Sequence, residues 1–212
     1  MCARLQNIIQ TITAMNWPNI LTCIAALWTA YVATRALNTW RSQTKYNTRI
    51  QFLSDLLDAT HSYIEAIEYP LGMAKVIKIK VESQLDEDEY EKLKDYIKSD
   101  GAVDGQTMYT YLKEILPHTT RLKAMSAKGQ IYGFVDYHMI QSACHNLVSV
   151  TDKLSGVCSI IGMTNLPWDN QEIEQTVRMV LSTVSEDFES ITQEANVKII
   201  KYIEAEFKDT YK

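Results

Sequence analysis

Two histidines and two cysteines in the second half of the sequence are the first candidates for binding a metal ion. Cys144 and His145 are adjacent, His138 lies seven residues before His145, and Cys158 follows later. Structural zinc sites usually contain closely paired ligands, such as two cysteines separated by two residues, and no such pair occurs here. Cys144 also falls on a predicted apolar helix face, where a free cysteine behaves as a small apolar side chain. We therefore predict no metal site and no cofactor.

Candidate catalytic groups are equally sparse. His61 and His118 have no Ser or Cys neighbour in a nucleophile motif, and the sequence contains neither G-x-S-x-G nor a Walker-type loop. The segment Gly129–Gly133 lacks the Lys-Ser/Thr pair of a phosphate-binding loop and is better explained as a helix–helix turn. Paired carboxylates such as Glu186 and Asp187 are typical of solvated helix faces. The sequence predicts no enzyme, with a hydrolase that uses such a pair retained as an alternative.

The longest uncharged stretch of the chain has the length of a membrane span. No charged residue occurs in Leu5–Thr34, whereas charged residues make up 22% of the chain. The 20 residues of Pro18–Leu37 would be about 30 Å long as a helix, which matches the hydrocarbon thickness of a bilayer. Trp17 and Trp40 bracket this stretch, where amphipathic rings prefer the headgroup level. We predict one membrane-spanning helix over residues 17–40, whose characteristic residues are Trp17, Pro18, Trp28, Tyr31 and Trp40.

A buried core helix and a cleaved signal peptide are the two other interpretations of this stretch. Thr22, Thr29 and Thr34 make it only moderately apolar, so a buried core helix of a soluble protein is an alternative. A cleaved signal peptide is disfavoured, because Arg4 is the only basic residue ahead of it and no convincing small-x-small cleavage site follows.

The charges next to the predicted span indicate its orientation. The basic residues that follow it, before any acidic residue, are Arg35, Arg41, Lys45 and Arg49. The positive-inside rule then places the N-terminus outside a bacterial inner membrane and the chain after the span in the cytoplasm. The four cysteines are scattered without a disulfide framework, as expected in a reducing compartment.

The sequence divides into three predicted segments. Residues 1–16 form an amphipathic segment that either lies in the outer interface or lengthens the span, and the sequence leaves both open. Residues 17–40 form the transmembrane helix, and residues 41–212 form a cytoplasmic helical domain. The fold class is therefore all-α, with the N-terminal transmembrane helix continuing into a cytoplasmic bundle of long helices.

Within the cytoplasmic part, apolar periodicity predicts helices and turn residues predict their limits. We expect a helix up to Tyr69 that Pro70–Gly72 ends or kinks and a loop at Ser99–Gly105. The lysine-rich segment that follows Gly72 is predicted as a helix, with an edge strand as the alternative. The later predictions are a helix that Pro117 kinks and Gly129 ends, a core helix within 133–161 closed by Gly162 in a C′ position, and one nearly straight helix over about 169–209.

Composition predicts protein and lipid partners rather than nucleic acid. The first 54 residues carry five of the 21 basic groups and none of the 26 acidic groups, so the remainder has a net charge of −10. Phosphate binding needs a basic face, which such a domain lacks. The juxtamembrane cations suit anionic lipid, and tyrosines around one helix junction, such as Tyr109, Tyr111, Tyr132 and Tyr137, suit either packing or a partner surface.

Small residues in the predicted span would allow close approach of a second helix. They are Ala25, Ala26, Ala30 and Ala33. Because a single helix satisfies its backbone internally, it offers no polar path through lipid, so conduction would need several copies. We therefore expect homo- or hetero-oligomers.

The segment Ala25–Ile67 is similar to uncharacterised bacterial single-pass membrane proteins. In these, a span ends in a Trp-basic segment like Thr39-Trp40-Arg41, and a cytoplasmic helical region follows. Such architectures recur among membrane effectors of anti-phage systems, including those that accompany retrons. The resemblance covers about a fifth of the chain and transfers no active site. It implies a membrane-disrupting effector that partners hold or trigger; a non-catalytic membrane anchor or scaffold and a membrane-tethered enzyme are the alternatives.

Overall fold

The elements of the chain are helices throughout the part that the structure describes. The structure, a computed structural model, describes residues 17–82, 89–163, 165–184 and 187–210. The helices are α1 (Trp17–Glu82), α2 (Glu89–Tyr96), a π-helical turn (Ile97–Gly101), α3 (Ala102–Ile131), α4 (His138–Ile161), α5 (Gln171–Val184) and α6 (Phe188–Thr210). The all-α prediction is confirmed for these residues, and the predicted amphipathic segment 1–16 lies outside them.

Contacts divide the chain into two compact units, with the division between Arg49 and Ile50. In the first unit, the described residues form the N-terminal part of α1, and none of residues 18–49 is buried. The predicted boundary at Trp40 separates the transmembrane helix from the cytoplasmic domain by their depth in the membrane. Contacts within the protein do not test it, so it stays a prediction.

The second unit has one apolar core to which α1 contributes a heptad face. The buried positions of α1 advance in alternating steps of three and four, which is the spacing of a helix that packs along one side. The residues with this spacing are Leu53, Leu56, Thr60, Tyr63, Ile67, Pro70, Ala74, Ile77 and Val81, and Phe52 and Ala59 beside them are also buried. Leu57, the neighbour of Leu56, is 38% exposed.

Pro70 does not end α1, contrary to one of the two outcomes predicted for it. The helix continues to Glu82 through Pro70, whose ring is buried on the heptad face. A proline inside a helix removes one backbone hydrogen bond, and packing of its ring in the core offsets that loss. The lysine-rich segment that follows is helical up to Glu82, as predicted.

The loop predicted over Ser99–Gly105 is wrong. The chain forms a π-helical turn to Gly101 and then begins α3. The two glycines are there for close approach rather than for a turn: a Cβ on Gly101 would lie 2.4 Å from the carbonyl oxygen of Ile161, and one on Gly105 would lie 2.7 Å from Cα of Gly162. Gly162 itself has a right-handed φ of −78°, so it follows α4 without the left-handed C′ conformation.

Helix α3 runs through Pro117 and ends at Ile131, two residues after the predicted end at Gly129. Gly129 is buried under the Tyr137 ring. A Cβ built on Gly129 would lie only 1.8 Å from the Cζ atom of Tyr137. The turn from α3 to α4 instead uses left-handed backbone at Gly133 (φ 62°) and Asp136 (φ 52°).

The predicted helix over about 169–209 is two helices, α5 and α6. Asp187 interrupts it, because its carboxylate accepts a hydrogen bond from the Ser190 backbone N–H (3.0 Å) and caps α6. The apolar period continues across this break, so Val177, Val180, Phe188 and Ala195 are all buried.

Helix α4 is the centre of the second unit, as predicted for this segment. It contacts α3, α5 and α6, while α2 contacts α5. Its core-facing positions from Ile140 to Ile161 are buried. The arrangement of these helices as a bundle stays a prediction.

Candidate membrane-spanning segment

The apolar part of α1 presents its side chains to the outside rather than to a core. Leu27, Trp28 and Trp40 are 72%, 68% and 62% exposed. Among the described residues, α1 is the one helix long and apolar enough to cross a membrane, and none of its most apolar 18-residue window is buried. A core helix of a soluble protein of similar composition would be largely buried, so exposure favours lipid contact over that alternative.

The threonines of this segment direct their hydroxyls to their own helix. Thr22, Thr29 and Thr34 donate to the carbonyl oxygens four residues earlier, at 2.7, 2.8 and 2.8 Å. A hydroxyl that donates within its helix costs less in a hydrocarbon environment than one without a partner. The threonines are therefore compatible with a span, and their hydroxyl protons are already engaged.

Side-chain size divides this part of α1 into two faces. At 100° per residue, the large residues between positions 20 and 32 occupy one side; they are Ile20, Leu21, Ile24, Leu27, Trp28, Tyr31 and Val32. The rings of Trp28 and Tyr31 lie 5.9 Å apart on that side. The small residues of the same stretch occupy the other side; they are Thr22, Cys23, Ala25, Ala26, Thr29 and Ala30, with Ala33 following on the same side. One face suits lipid chains, and the other permits close approach of another helix.

The predicted juxtamembrane cations lie on the same helix. Arg41, Lys45 and Arg49 are four residues apart, so they share one side of α1, whereas Arg35 lies within the apolar segment. Arg35, Arg41 and Lys45 are exposed, and Arg49 is half-buried. Pro18 lies in the first turn of α1, which begins at Trp17. The membrane roles of all these residues stay predictions.

Two of the candidate metal ligands of the second unit, Cys144 and His145, lie at one cavity, without a third ligand-type residue. No group of three or more His, Cys, Asp or Glu residues that could hold a metal ion occurs within the described ranges. A cavity of about 140 Å³ is lined by Lys123, Ser126, Cys144, His145 and Val148. Burial raises the pKa of the Cys144 thiol to about 12, so at neutral pH the thiol is protonated and is not a nucleophile.

The predicted tyrosine cluster is divided. Tyr132 and Tyr137 belong to a cluster of aromatic rings around Phe52, whereas Tyr111 stacks on Tyr69 with ring centroids 5.3 Å apart. Tyr109 is 57% exposed. Ring contacts within the described residues therefore do not join these four tyrosines into one cluster.

A polar cluster that sequence reasoning missed joins three elements of the second unit. Asp104 of α3 accepts hydrogen bonds from Lys80 (2.5 Å) and from the Tyr96 hydroxyl (2.7 Å). Burial and this carboxylate raise the pKa of Tyr96 above its usual value. No sequence motif predicts this cluster, because its three members come from α1, α2 and α3. The arrangement ties α1, α2 and α3 together.

The carboxylate pair singled out as a hydrolase alternative has a structural role at its described member. Asp187 caps α6, and Glu186 lies outside the described residues.

Comparisons with protein-family models, with curated proteins and with solved structures give no match for this chain.

Proposed function

We propose that this chain is a single-pass protein of a bacterial inner membrane whose cytoplasmic helical bundle binds other proteins. In this proposal it acts as a membrane-disrupting effector of a defence system that partners hold or trigger. The observation that carries the membrane part is that no residue is buried in the most apolar window of α1, a helix long and apolar enough to span a bilayer. The cations after it support a cytoplasmic second unit.

The two faces of the segment support the effector mechanism. A monomeric helix leaves no polar path through lipid, so disruption requires several copies. The face that contains Ala26, Ala30 and Ala33 would let helices approach closely, while the bulky face would contact lipid. Assembly through the small face is therefore the step that the second unit would control.

The threonine geometry supports the second candidate function, a membrane anchor or scaffold. Because the hydroxyl protons of Thr22, Thr29 and Thr34 are engaged within the helix, only the hydroxyl lone pairs could line a water-filled path. An anchor needs no such path. The scaffold proposal therefore differs from the effector proposal in one observable, membrane permeability.

Growth and dye entry in bacteria that express the chain test these proposals. We expect the full chain to arrest growth and admit dye, and Ala26→Leu with Ala30→Leu to abolish both without changing membrane insertion. The matched control is Ile24→Leu with Leu27→Ile, which keeps side-chain volume on the bulky face and should stay toxic.

Two outcomes would contradict the effector proposal. A full chain that inserts without harming cells, with or without its co-expressed partners, would favour the anchor. Toxicity that survives Ile24→Lys with Leu27→Lys, a change designed to block insertion, would indicate an enzyme or a sequestering domain instead.

A further inference from the structure

Helices α1 and α3 lie side by side in opposite chain directions within the second unit. The rings of Tyr69 and Tyr111 stack with centroids 5.3 Å and planes 12° apart, and Lys80 donates a hydrogen bond to Asp104 at 2.5 Å. Because residue numbers rise along α1 and fall along α3 between these two contacts, the helices are antiparallel. Lys80 follows Tyr69 by 11 residues, so the contacts bound a groove about 16 Å long.

The outer side of α1 along this groove is apolar. Its stripe advances in steps of three, four and three residues, as the buried face of α1 does, but lies on the opposite side of the helix. The stripe consists of Tyr69, Gly72, Val76 and Ile79. The three side chains are 68%, 44% and 63% exposed, and a Cβ built on Gly72 would meet no atom within 4 Å. Such a stripe is typical of a helix that packs against another helix.

Helix α3 adds an apolar side chain to the same groove. Val103 is 70% exposed and is next in the chain to Asp104, which bounds the groove. Thr107 and Thr110 follow, and their hydroxyls donate to carbonyl oxygens of α3 itself at 2.9 and 3.0 Å. These threonines have no hydroxyl proton to offer a polar ligand, so the groove suits the apolar face of a partner helix.

One end of the groove is acidic. Over residues 50–74, α1 contains no lysine or arginine. Its acidic residues there are Asp55, Asp58, Glu65 and Glu68. Glu65 lies one turn before Tyr69, and Glu114 of α3 lies three residues after Tyr111. In an antiparallel pair of helices these two directions coincide, so both carboxylates lie beyond the stacked tyrosines, at the same end of the groove.

These two carboxylates are accessible to a partner. Glu65 and Glu114 are exposed, and neither takes part in an ion pair within the described ranges. Lys75 and Lys80, on the same part of α1, already form ion pairs. Lys113 lies about 100° around α3 from Glu114, on the side away from α1. Nearby cations therefore leave this end of the groove negative.

Charge identifies the occupant of the groove as basic. The same groove of a second copy, an anionic lipid surface and a nucleic acid would each bring negative charge to the two carboxylates, and like charges oppose association. A basic protein segment brings the opposite charge. The net charge of −10 that the chain carries after residue 54 also attracts such a segment at longer range.

We propose that the groove between α1 and α3 binds an amphipathic, basic helix of a partner protein. The apolar face of that helix packs on Val76, Ile79 and Val103. One of its arginines stacks on the exposed ring of Tyr69 and pairs with the two carboxylates beyond it. This inference names the partner of the protein-binding part of the proposed function and rests on that part, whereas it does not depend on membrane insertion of α1.

Binding of two synthetic peptides to the full chain in a non-ionic detergent tests the groove. Both have about 14 residues, which as a helix are about 21 Å long and cover the groove. One peptide carries leucines at helical spacing on one face and arginines on the other, and the second has glutamates in place of the arginines. Fluorescence anisotropy of the labelled peptides measures each affinity, with empty micelles as the reference.

Two substitutions at the acidic end test the charge of the groove. Glu65→Gln with Glu114→Gln removes its two carboxylates. The matched control is Glu172→Gln with Glu204→Gln, which makes the same change of charge at two exposed glutamates elsewhere in the second unit.

Two further substitutions test the apolar stripe. Val76→Ser with Ile79→Ser removes its two aliphatic side chains. The matched control is Val197→Ser with Ile200→Ser on α6, a valine and an isoleucine at the same spacing that are 47% and 36% exposed. Circular dichroism checks that every variant is folded.

We expect the unchanged chain to bind the arginine peptide about tenfold more tightly than the glutamate peptide. Each groove variant should lose about tenfold of that affinity, and each control less than about twofold. Equal affinity for both peptides, or equal losses in groove and control variants, would overturn the docking site. Such a result would leave the growth and dye-entry outcomes unchanged, so failure of the groove and failure of the proposed function are distinguishable.

Discussion

Glycine has two different roles inside the helices of the second unit. At Gly129 the Tyr137 ring occupies the space of a side chain, whereas no atom lies within 4 Å of a Cβ placed on Gly156. Both residues are helical, so propensity alone favours alanine at each. Whether alanine at either position stabilises the protein therefore depends on the atoms that pack against that position.

Replacing the two glycines should change stability in opposite directions. Gly156→Ala should raise the free energy of unfolding by about 0.5–1 kcal/mol, because it removes backbone freedom from the unfolded chain. Gly129→Ala should lower it by about 1–3 kcal/mol, because the Tyr137 ring must move. Denaturant unfolding in detergent, followed by circular dichroism, measures both. Stabilisation by Gly129→Ala would contradict the packing described here.

Tyr63 is a buried polar group with two partners on α4. Its hydroxyl donates to the Leu147 carbonyl oxygen, so the Thr151 hydroxyl, 2.8 Å away, donates to the Tyr63 oxygen. Burial raises the pKa of Tyr63 above its usual value, so the phenol stays protonated and keeps this donor at neutral pH.

Removal of that hydroxyl should destabilise the second unit. Tyr63→Phe should lower the free energy of unfolding by about 1–3 kcal/mol, since it removes two hydrogen bonds at a buried site. Tyr109→Phe is the matched control at a 57% exposed tyrosine and should change stability by less than about 0.5 kcal/mol. Equal effects in thermal unfolding would mean that the Tyr63 hydroxyl is not satisfied as described.

The core residues of α4 followed from the sequence, but the close approaches did not. A repeating apolar face identifies Ile140, Leu147 and Leu154 without any knowledge of their neighbours. Gly101, Gly105 and Gly129 resemble turn signals locally, and only the residues packed against them reveal close contact. Each of these contacts joins two separate segments of the chain, and the apolar period of one segment does not show which other segment packs against it.

At the scale of elements, periodicity predicted which face is buried better than where a helix ends. The apolar period continues from Val177 to Ala195, yet the helix breaks at Asp187. Both helices bury one apolar face, and the spacing of these faces in the sequence does not record the break between them. The interruption is local chemistry, in which a carboxylate caps the new helix.

Loss of that cap should weaken α6. Asp187→Ala should lower the free energy of unfolding by about 0.5–2 kcal/mol, and Asp187→Asn, which retains an accepting oxygen, should recover most of the loss. Hydrogen exchange at the first amides of α6 should accelerate in the alanine variant alone. An asparagine variant as unstable as the alanine variant would show that charge, rather than the hydrogen bond to Ser190, is what matters.

At the scale of the whole molecule, composition predicted an exposed apolar helix before any contact was known. The exposure of residues 18–40 agrees with that prediction. Orientation, oligomer formation and effector activity depend on the bilayer and on partners, so they remain proposals. Charge is the feature of the chain that decides orientation.

Changing Arg35, Arg41, Lys45 and Arg49 together to Gln should disturb that orientation. A reporter fused after Lys212, cytoplasmic in the unchanged chain, should then appear outside in a measurable fraction of molecules, because the charge bias across the span is lost. The matched control changes Lys92, Lys98, Lys113 and Arg121 to Gln, which removes the same charge far along the sequence. An unchanged reporter in both variants would contradict the charge-based orientation.

The central claim is that residues 17–40 cross a membrane, and protease protection of a doubly tagged chain tests it most directly. In intact spheroplasts, a protease should remove a tag ahead of Met1 and leave a tag after Lys212 untouched until the membrane is lysed. Protection or digestion of both tags alike before lysis would place the two termini on one side and contradict the span.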